Sequence, residues 1–284
     1  MISNLLPYIF LMFKQAKNVK KIFEIMTNLI TPPEEQQILS SIYRMHFNDL
    51  IKLVDDNNEE IKEYKKCDNF KDFKCNGFMT NKGRFIRLFK LNNLEMGCCL
   101  WYSKMYNCTD DILIIIAIFE GCNYKIEELF YDRDDLIKTF KKYINKNSDH
   151  ITLLNIYKDY FLNNKNKNLI ISKWDKIKEK IKDYKKVFSK YESIIKYNEE
   201  KIKHNIDDVL FTLIYGNKFN LIIETKKGFE PLYYLKKTNG KISSLFFNNS
   251  TLKHGFSNNL ISFGESSFIN ITLISNPLFK LINN

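Results

Sequence analysis

The chain has 284 residues, of which 44% are hydrophobic, 27% charged and 14% aromatic, with 9 Gly and 5 Pro. That balance excludes a mostly disordered or fibrous polypeptide and leaves room for two or three small cores. The formal net charge of +11 suits a polyanionic partner, since clustered cations beside phosphates bind by releasing counterions; lysine usage in an AT-rich coding sequence gives the same excess with no partner.

The first stretch, MISNLLPYIFLMFKQAKNVKK, carries an apolar run with no basic residue before it and no small-residue cleavage site after it. It is shorter than the ~20 apolar residues that span a bilayer, so no membrane partner is expected. A first helical block ends near Ile30. In TPPEEQQILSSIYRM the next helix is predicted to start with Thr31 as N-cap, Pro32 and Pro33 in the first turn and Glu34 closing a capping box. The polar stretch from Asp55 to Gly77 predicts a loop or β-wing. In FMTNKGRFIRLFK, Thr80 is predicted to cap a helix and Gly83 to permit close backbone packing.

Helical periodicity dominates from Leu91 to about Lys203. NLEMGCCLWYSKMYNC and TDDILIIIAIFEGC predict two helices, the second capped by Thr109, ended near Gly121 and buried along Ile112–Phe119. In SDHITLLNIYKDYF, Asp149, His150 and Thr152 raise a catalytic reading. Ser148 and Asp149 are equally good N-caps, however, and Ile151, Leu154, Ile156, Tyr157 and Phe161 follow on one helical side. No nucleophile or orienting partner stands nearby, so a helix start is the expected role. The Lys-rich segment around Trp174, Ile177, Ile181, Tyr184 and Phe188 predicts a helix with a solvated cationic face.

After a short helical piece, DDVLFTLIYGN, the pattern changes to KFNLIIETKK, FEPLYYLKKT, KISSLFFNN, NLISFGES and SFINITLISN, with glycines 228, 240, 255 and 264 as turn markers. Short strands at this spacing predict an OB-type barrel, a fold that holds single strands by aromatic stacking and cationic contacts. The six cysteines form no CxxC pair and the four histidines have no ligand spacing, so no metal is expected. Phosphate-loop, dinucleotide, HExxH and GxSxG motifs do not occur. No catalytic residue is assigned.

The order of segments resembles the C-terminal half of the DEAH/RHA RNA helicases of superfamily 2. SNLLPYIFLMFK with IFEIMTNLITPPEEQQILSSIYRM is similar to the family's exit from its second RecA-like domain. MTNKGRFIRLFKLNNLEMGCCLWYSKMYNCTDDILIIIAIF resembles the passage that follows, SDHITLLNIYKDYF resembles the family's "GDH.TLLN.Y..W", and FINITLISNPLFKLI resembles its closing segment. The resemblance implies an α+β multidomain protein. Residues 1–30 would be a helical remnant of a RecA-like domain, 31–90 a winged helix, 91–205 a ratchet-like helical bundle and 206–284 an OB-fold barrel. Divergence and composition are similar to viral, poxvirus-like members, which implies an intracellular site, cytoplasmic or in a virion.

The function so implied is the auxiliary portion of an ATP-dependent RNA helicase, gripping single-stranded RNA for a motor outside these 284 residues. ATP and magnesium would belong to the complete enzyme, with no cofactor in this chain. Arg84, Arg87, Ser148, Asp149, His150, Thr152, Lys226, Lys227, Lys236, Lys237 and Lys253 are the implied RNA-contacting residues. Against the family pattern, the element "HPSS.L" is reduced to Asn-Asn-Ser-Thr-Leu at 248–252. An alternative is a protein-interaction module that docks on helicase motor domains or a protein cofactor without touching RNA.

Overall fold

The computed structural model describes residues 5–13, 16, 18–61, 75–145, 148–163, 168–192, 205–217, 222–225 and 228–231. They fall into two compact units, Met1–Trp101 and Tyr102–Asn284.

The first unit opens with helices α1 (Leu6–Met12) and α2 (Val19–Thr27), both of which pack on α3 (Glu35–Phe47). Asn18 caps α2 by accepting the Lys21 N–H at 3.2 Å. α3 begins four residues later than Thr31. Its N-cap is Glu34, in an extended conformation and without a side-chain cap bond. The reason is the proline pair, because a residue that precedes proline is disfavoured in the helical region, and Pro32 precedes Pro33, so the first turn cannot begin there.

After α3 come strand β1 (Ile51–Val54), strand β2 (Asn76–Met79) and helix α4 (Asn81–Leu88). The strands pair antiparallel, with Ile51 opposite Met79 and Lys52 opposite Phe78. Thr80 caps α4 as the sequence predicts: its Oγ1 accepts the Gly83 N–H at 3.0 Å and donates to the Asp49 carbonyl at 2.6 Å. Gly83 lies against the Leu50 carbonyl so closely that an added Cβ would stand 2.1 Å from that oxygen. Gly83→Ala is therefore expected to destabilise the chain by about 2 kcal/mol despite alanine's better helix propensity. A denaturant titration checks it, and an unchanged midpoint would contradict the contact. α5 (Leu94–Ser103) adds Glu95, which is buried and joined to Arg44 of α3 at 2.5 Å.

The second unit is a helical assembly built on α6 (Thr109–Gly121), which touches α8 (Asp149–Asn163), α9 (Ile171–Glu192) and α10 (Ile206–Gly216). Ile112, Leu113 and Ile115–Phe119 are all buried, as a helix apolar on every side must be. The helix ends at Gly121 as expected, but Cys108, not Thr109, is its N-cap, and Thr109 instead accepts from the Ser103 hydroxyl at 3.1 Å. Gly121 lets α9 approach, since a Cβ there would meet Ile177 at 2.7 Å. α7 (Arg133–Tyr143), capped by Asp132, packs on α8. On α9 the apolar stripe Trp174, Ile177, Ile181, Tyr184, Phe188 faces inward throughout.

Past α10 the described residues hold strands β3 (Ile222–Thr225) and β4 (Gly228–Pro231), paired antiparallel with Ile222 opposite Pro231. This corrects the α+β expectation with its C-terminal barrel. The described chain is mostly helical, and its two sheets have two strands each. Two strands leave two open edges, so neither sheet closes. Local alternation and turn residues encode a hairpin; closure depends on distant pairings that alternation does not specify. The runs KISSLFFNN, NLISFGES and SFINITLISN lie outside the described residues.

Candidate nucleic-acid interface

Two of the eleven residues implied by the sequence lie on an open surface of the first unit. α4 exposes Asn81, Arg84 and Leu88, with Arg87 half-buried beside them. Residues three apart on a helix are surface neighbours, so Arg84 stands one turn beyond Asn81 on the same face. Among the described residues neither arginine takes part in an ion pair.

Beside the start of α4 is an open recess of about 330 Å³, bounded by Asp49, Lys52, Phe78, Thr80, Asn81 and Trp101. The register makes Lys52 and Phe78 direct cross-strand neighbours, and both occupy outward positions. Phe78 is 42% exposed. The Trp101 ring meets Phe85 edge to face, 5.4 Å between centroids, which fixes its plane from within the unit. Lys82 underlies the recess with its ammonium on the Asn48 carbonyl at 2.8 Å. Lys52 reaches Glu60 at 3.3 Å in an exposed pair, the weak kind. Sequence reasoning missed Phe78, Trp101 and Lys52. The signal was present only as an aromatic at an outward strand position, and one such residue is unremarkable alone.

The Ser148–Thr152 group, in the second unit, is buried. Ser148 Oγ accepts the Ile151 N–H at 3.3 Å, which makes it the N-cap of α8. Thr152 Oγ1 donates to the Ser148 carbonyl at 3.0 Å and accepts the Asn145 N–H at 2.9 Å. His150 lies 5.2 Å from the Phe119 ring, centroid to centroid, and burial pushes its imidazole down to about 4. Burial thus holds this imidazole in its neutral form near neutral pH. Burial likewise pushes the Cys108 thiol up to about 11 and that of Cys122 to about 12, so neither supplies a thiolate near neutral pH.

The cationic face of α9 is largely engaged within the protein. Lys185 reaches Asp110 at 2.9 Å, Lys173 reaches Glu128 at 3.1 Å, Lys182 and Lys186 pair one turn back along the helix with Glu179 and Asp183, and Lys180 donates to the Glu120 carbonyl. Lys158 of α8 reaches Asp111 at 2.8 Å. A helix this rich in lysine thus carries less uncompensated charge than its composition suggests. Lys226, Lys227, Lys236, Lys237 and Lys253 lie outside the described residues. No group of ligand-type side chains able to hold a metal is found among the described residues, and no helix among them is long and apolar enough to cross a membrane.

No family model matches the chain. A stretch of 86 residues, 29% of this chain, is 33% identical to the ATP-dependent RNA helicase DHX33 of Mus musculus, where it spans 12% of the length. The chain thus contains a helicase-related region and covers only a small part of that relative.

Proposed function

We propose that this chain is the C-terminal auxiliary portion of a DEAH/RHA-type ATP-dependent RNA helicase, gripping single-stranded RNA for a motor outside these residues. The observation that carries the reading is the stretch similar to an RNA helicase, and the net charge of +11 is in keeping with it. The grip is electrostatic and independent of sequence: Lys and Arg hold phosphates while no base edge is read. Arg84, exposed, and Arg87, half-buried, are assigned to this contact because neither takes part in an ion pair among the described residues. Ser148, Asp149, His150 and Thr152 serve it at one remove, by holding the start of α8. ATP and magnesium are bound by the motor.

The purified chain is expected to retain labelled single-stranded RNA and to show no RNA-stimulated ATP hydrolysis by itself. Robust hydrolysis, or no retention of RNA, would overturn the reading. One observation favours the alternative, docking on helicase motor domains or a protein cofactor without RNA: Tyr8, Leu11, Ile25, Leu29 and Ile30 of the first unit are exposed large apolar residues. Recovery of motor domains in a pull-down, with undetectable RNA binding, would select it.

A further inference from the structure

We infer that the recess beside the β1–β2 sheet seats one base of a single-stranded RNA, with Phe78 as the stacking platform and Lys52 and Arg84 as phosphate contacts. The inference rests on the RNA-binding reading above and gives that binding a place.

Several independent features converge there. The recess is open to solvent on one side, as a site on a continuous strand must be. Phe78 is presented on an outward strand position, 42% exposed, with Lys52 directly opposite it across the ladder. Cross-strand neighbours lie about 5 Å apart at Cβ, which places a cation-bearing side chain next to the ring on the same face of the sheet. The Lys52–Glu60 pair is exposed at both ends and yields readily to a stronger anion. On the far side, Asn81 opens α4 and Arg84 follows one turn later on the same exposed face.

The polar groups of the recess also set what it reads. Thr80 is occupied by its bonds to Asp49 and Gly83, and Lys82 by its bond to Asn48. That leaves the Asn81 amide, which presents both a donor and an acceptor and accommodates any base edge, and the exposed Asp49 carboxylate, which only accepts. Stacking on a π-face is equally tolerant, so the site holds a strand without selecting its sequence. A peptide is the poorer occupant, because the recess is open and offers no deep apolar pocket for an anchor, whereas Lys52 stands across the ladder from the ring.

The test is a fluorescence-anisotropy titration of a short labelled poly(A) RNA against the full chain, repeated with Phe78→Ala, Phe78→Tyr and Arg84→Ala. Phe78→Ala is expected to weaken binding roughly 5- to 100-fold with the salt slope unchanged, because it removes stacking and no charge. Phe78→Tyr keeps the π-face and should bind as the parent does, which separates stacking from misfolding. Arg84→Ala should instead flatten the salt slope by about 0.7. Parental affinity in Phe78→Ala would overturn the recess as a base site while leaving RNA binding intact. Failure of the parent chain to bind at all would overturn both. Equal losses in Phe78→Ala and Phe78→Tyr would also count against stacking.

Discussion

Replacement of Trp174 by alanine is expected to destabilise the second unit by about 4 kcal/mol, near the top of what one core substitution does. Trp174 is fully buried, and its ring meets Phe130, Tyr157 and Tyr160 at 5.8–6.5 Å between centroids. Its indole N–H donates to the Leu129 carbonyl at 3.2 Å. Alanine would remove the largest side chain in that core and leave a cavity that the surrounding aromatics cannot fill. Phenylalanine should cost only about 1–2 kcal/mol, because the Leu129 carbonyl still accepts the Ile170 N–H at 3.1 Å. Urea titrations followed by far-UV circular dichroism separate the two. Equal losses for alanine and phenylalanine would mean that the hydrogen bond, not the packing, dominates.

Acid should weaken the same unit through His150, with a total effect on the order of 3 kcal/mol. Its folded-state value is depressed to about 4 by burial, against an unfolded value of about 6.5. Between these values the unfolded chain binds the proton and the folded chain does not. Stability is therefore complete above about pH 6.5 and is lost as the pH falls toward 4, with about 2 kcal/mol gone by pH 5. Carboxylates also titrate in acid, so the comparison to make is with His150→Leu. That variant should show a flatter profile between about pH 6.5 and 4. Superimposable profiles would mean that His150 keeps its proton when folded, and the buried-neutral assignment would fall.

Both effects bear on how much of the molecule its sequence disclosed. The apolar stripe of α9, the all-round burial of α6 and the Thr80 and Ser148 caps could be read from local pattern, because each depends on residues within one or two turns, and the glycine at 83 marked a close approach without naming its partner, the Leu50 carbonyl. The start of α3 was misplaced through cap chemistry, where the backbone restriction ahead of proline prevailed. The barrel failed for a different reason: hairpin signals are local, and a closed ladder is not.

The candidate site was legible only in part for the same reason. Arg84 and Arg87 are candidates from the resemblance, and α4 exposes the first and half-buries the second. The recess next to Arg84 draws Asp49 and Lys52, Phe78 to Lys82, and Trp101 from segments far apart in the chain, and no spacing rule joins those segments. The α9 lysines show the converse. The sequence predicts a solvated face, and Lys176, Lys182, Lys185, Lys186 and Lys190 are exposed, but the carboxylates that meet Lys173 and Lys185 come from residues 128 and 110 and no helical spacing announces them. Ser148–Thr152, which first looked like a possible reaction centre, is the buried start of a helix.

The account turns on whether this chain holds single-stranded RNA through phosphate contacts, and a salt titration of the binding constant tests that most directly. Affinity for a labelled single strand should fall linearly on a log–log plot, by about 0.7 log units per phosphate contact for each tenfold rise in salt. A grip made by Lys52, Arg84 and Arg87 alone would give a slope near −2, with any further cations steepening it. Binding that ignores salt, or no binding at low salt, would contradict the account and leave the docking module as the surviving reading.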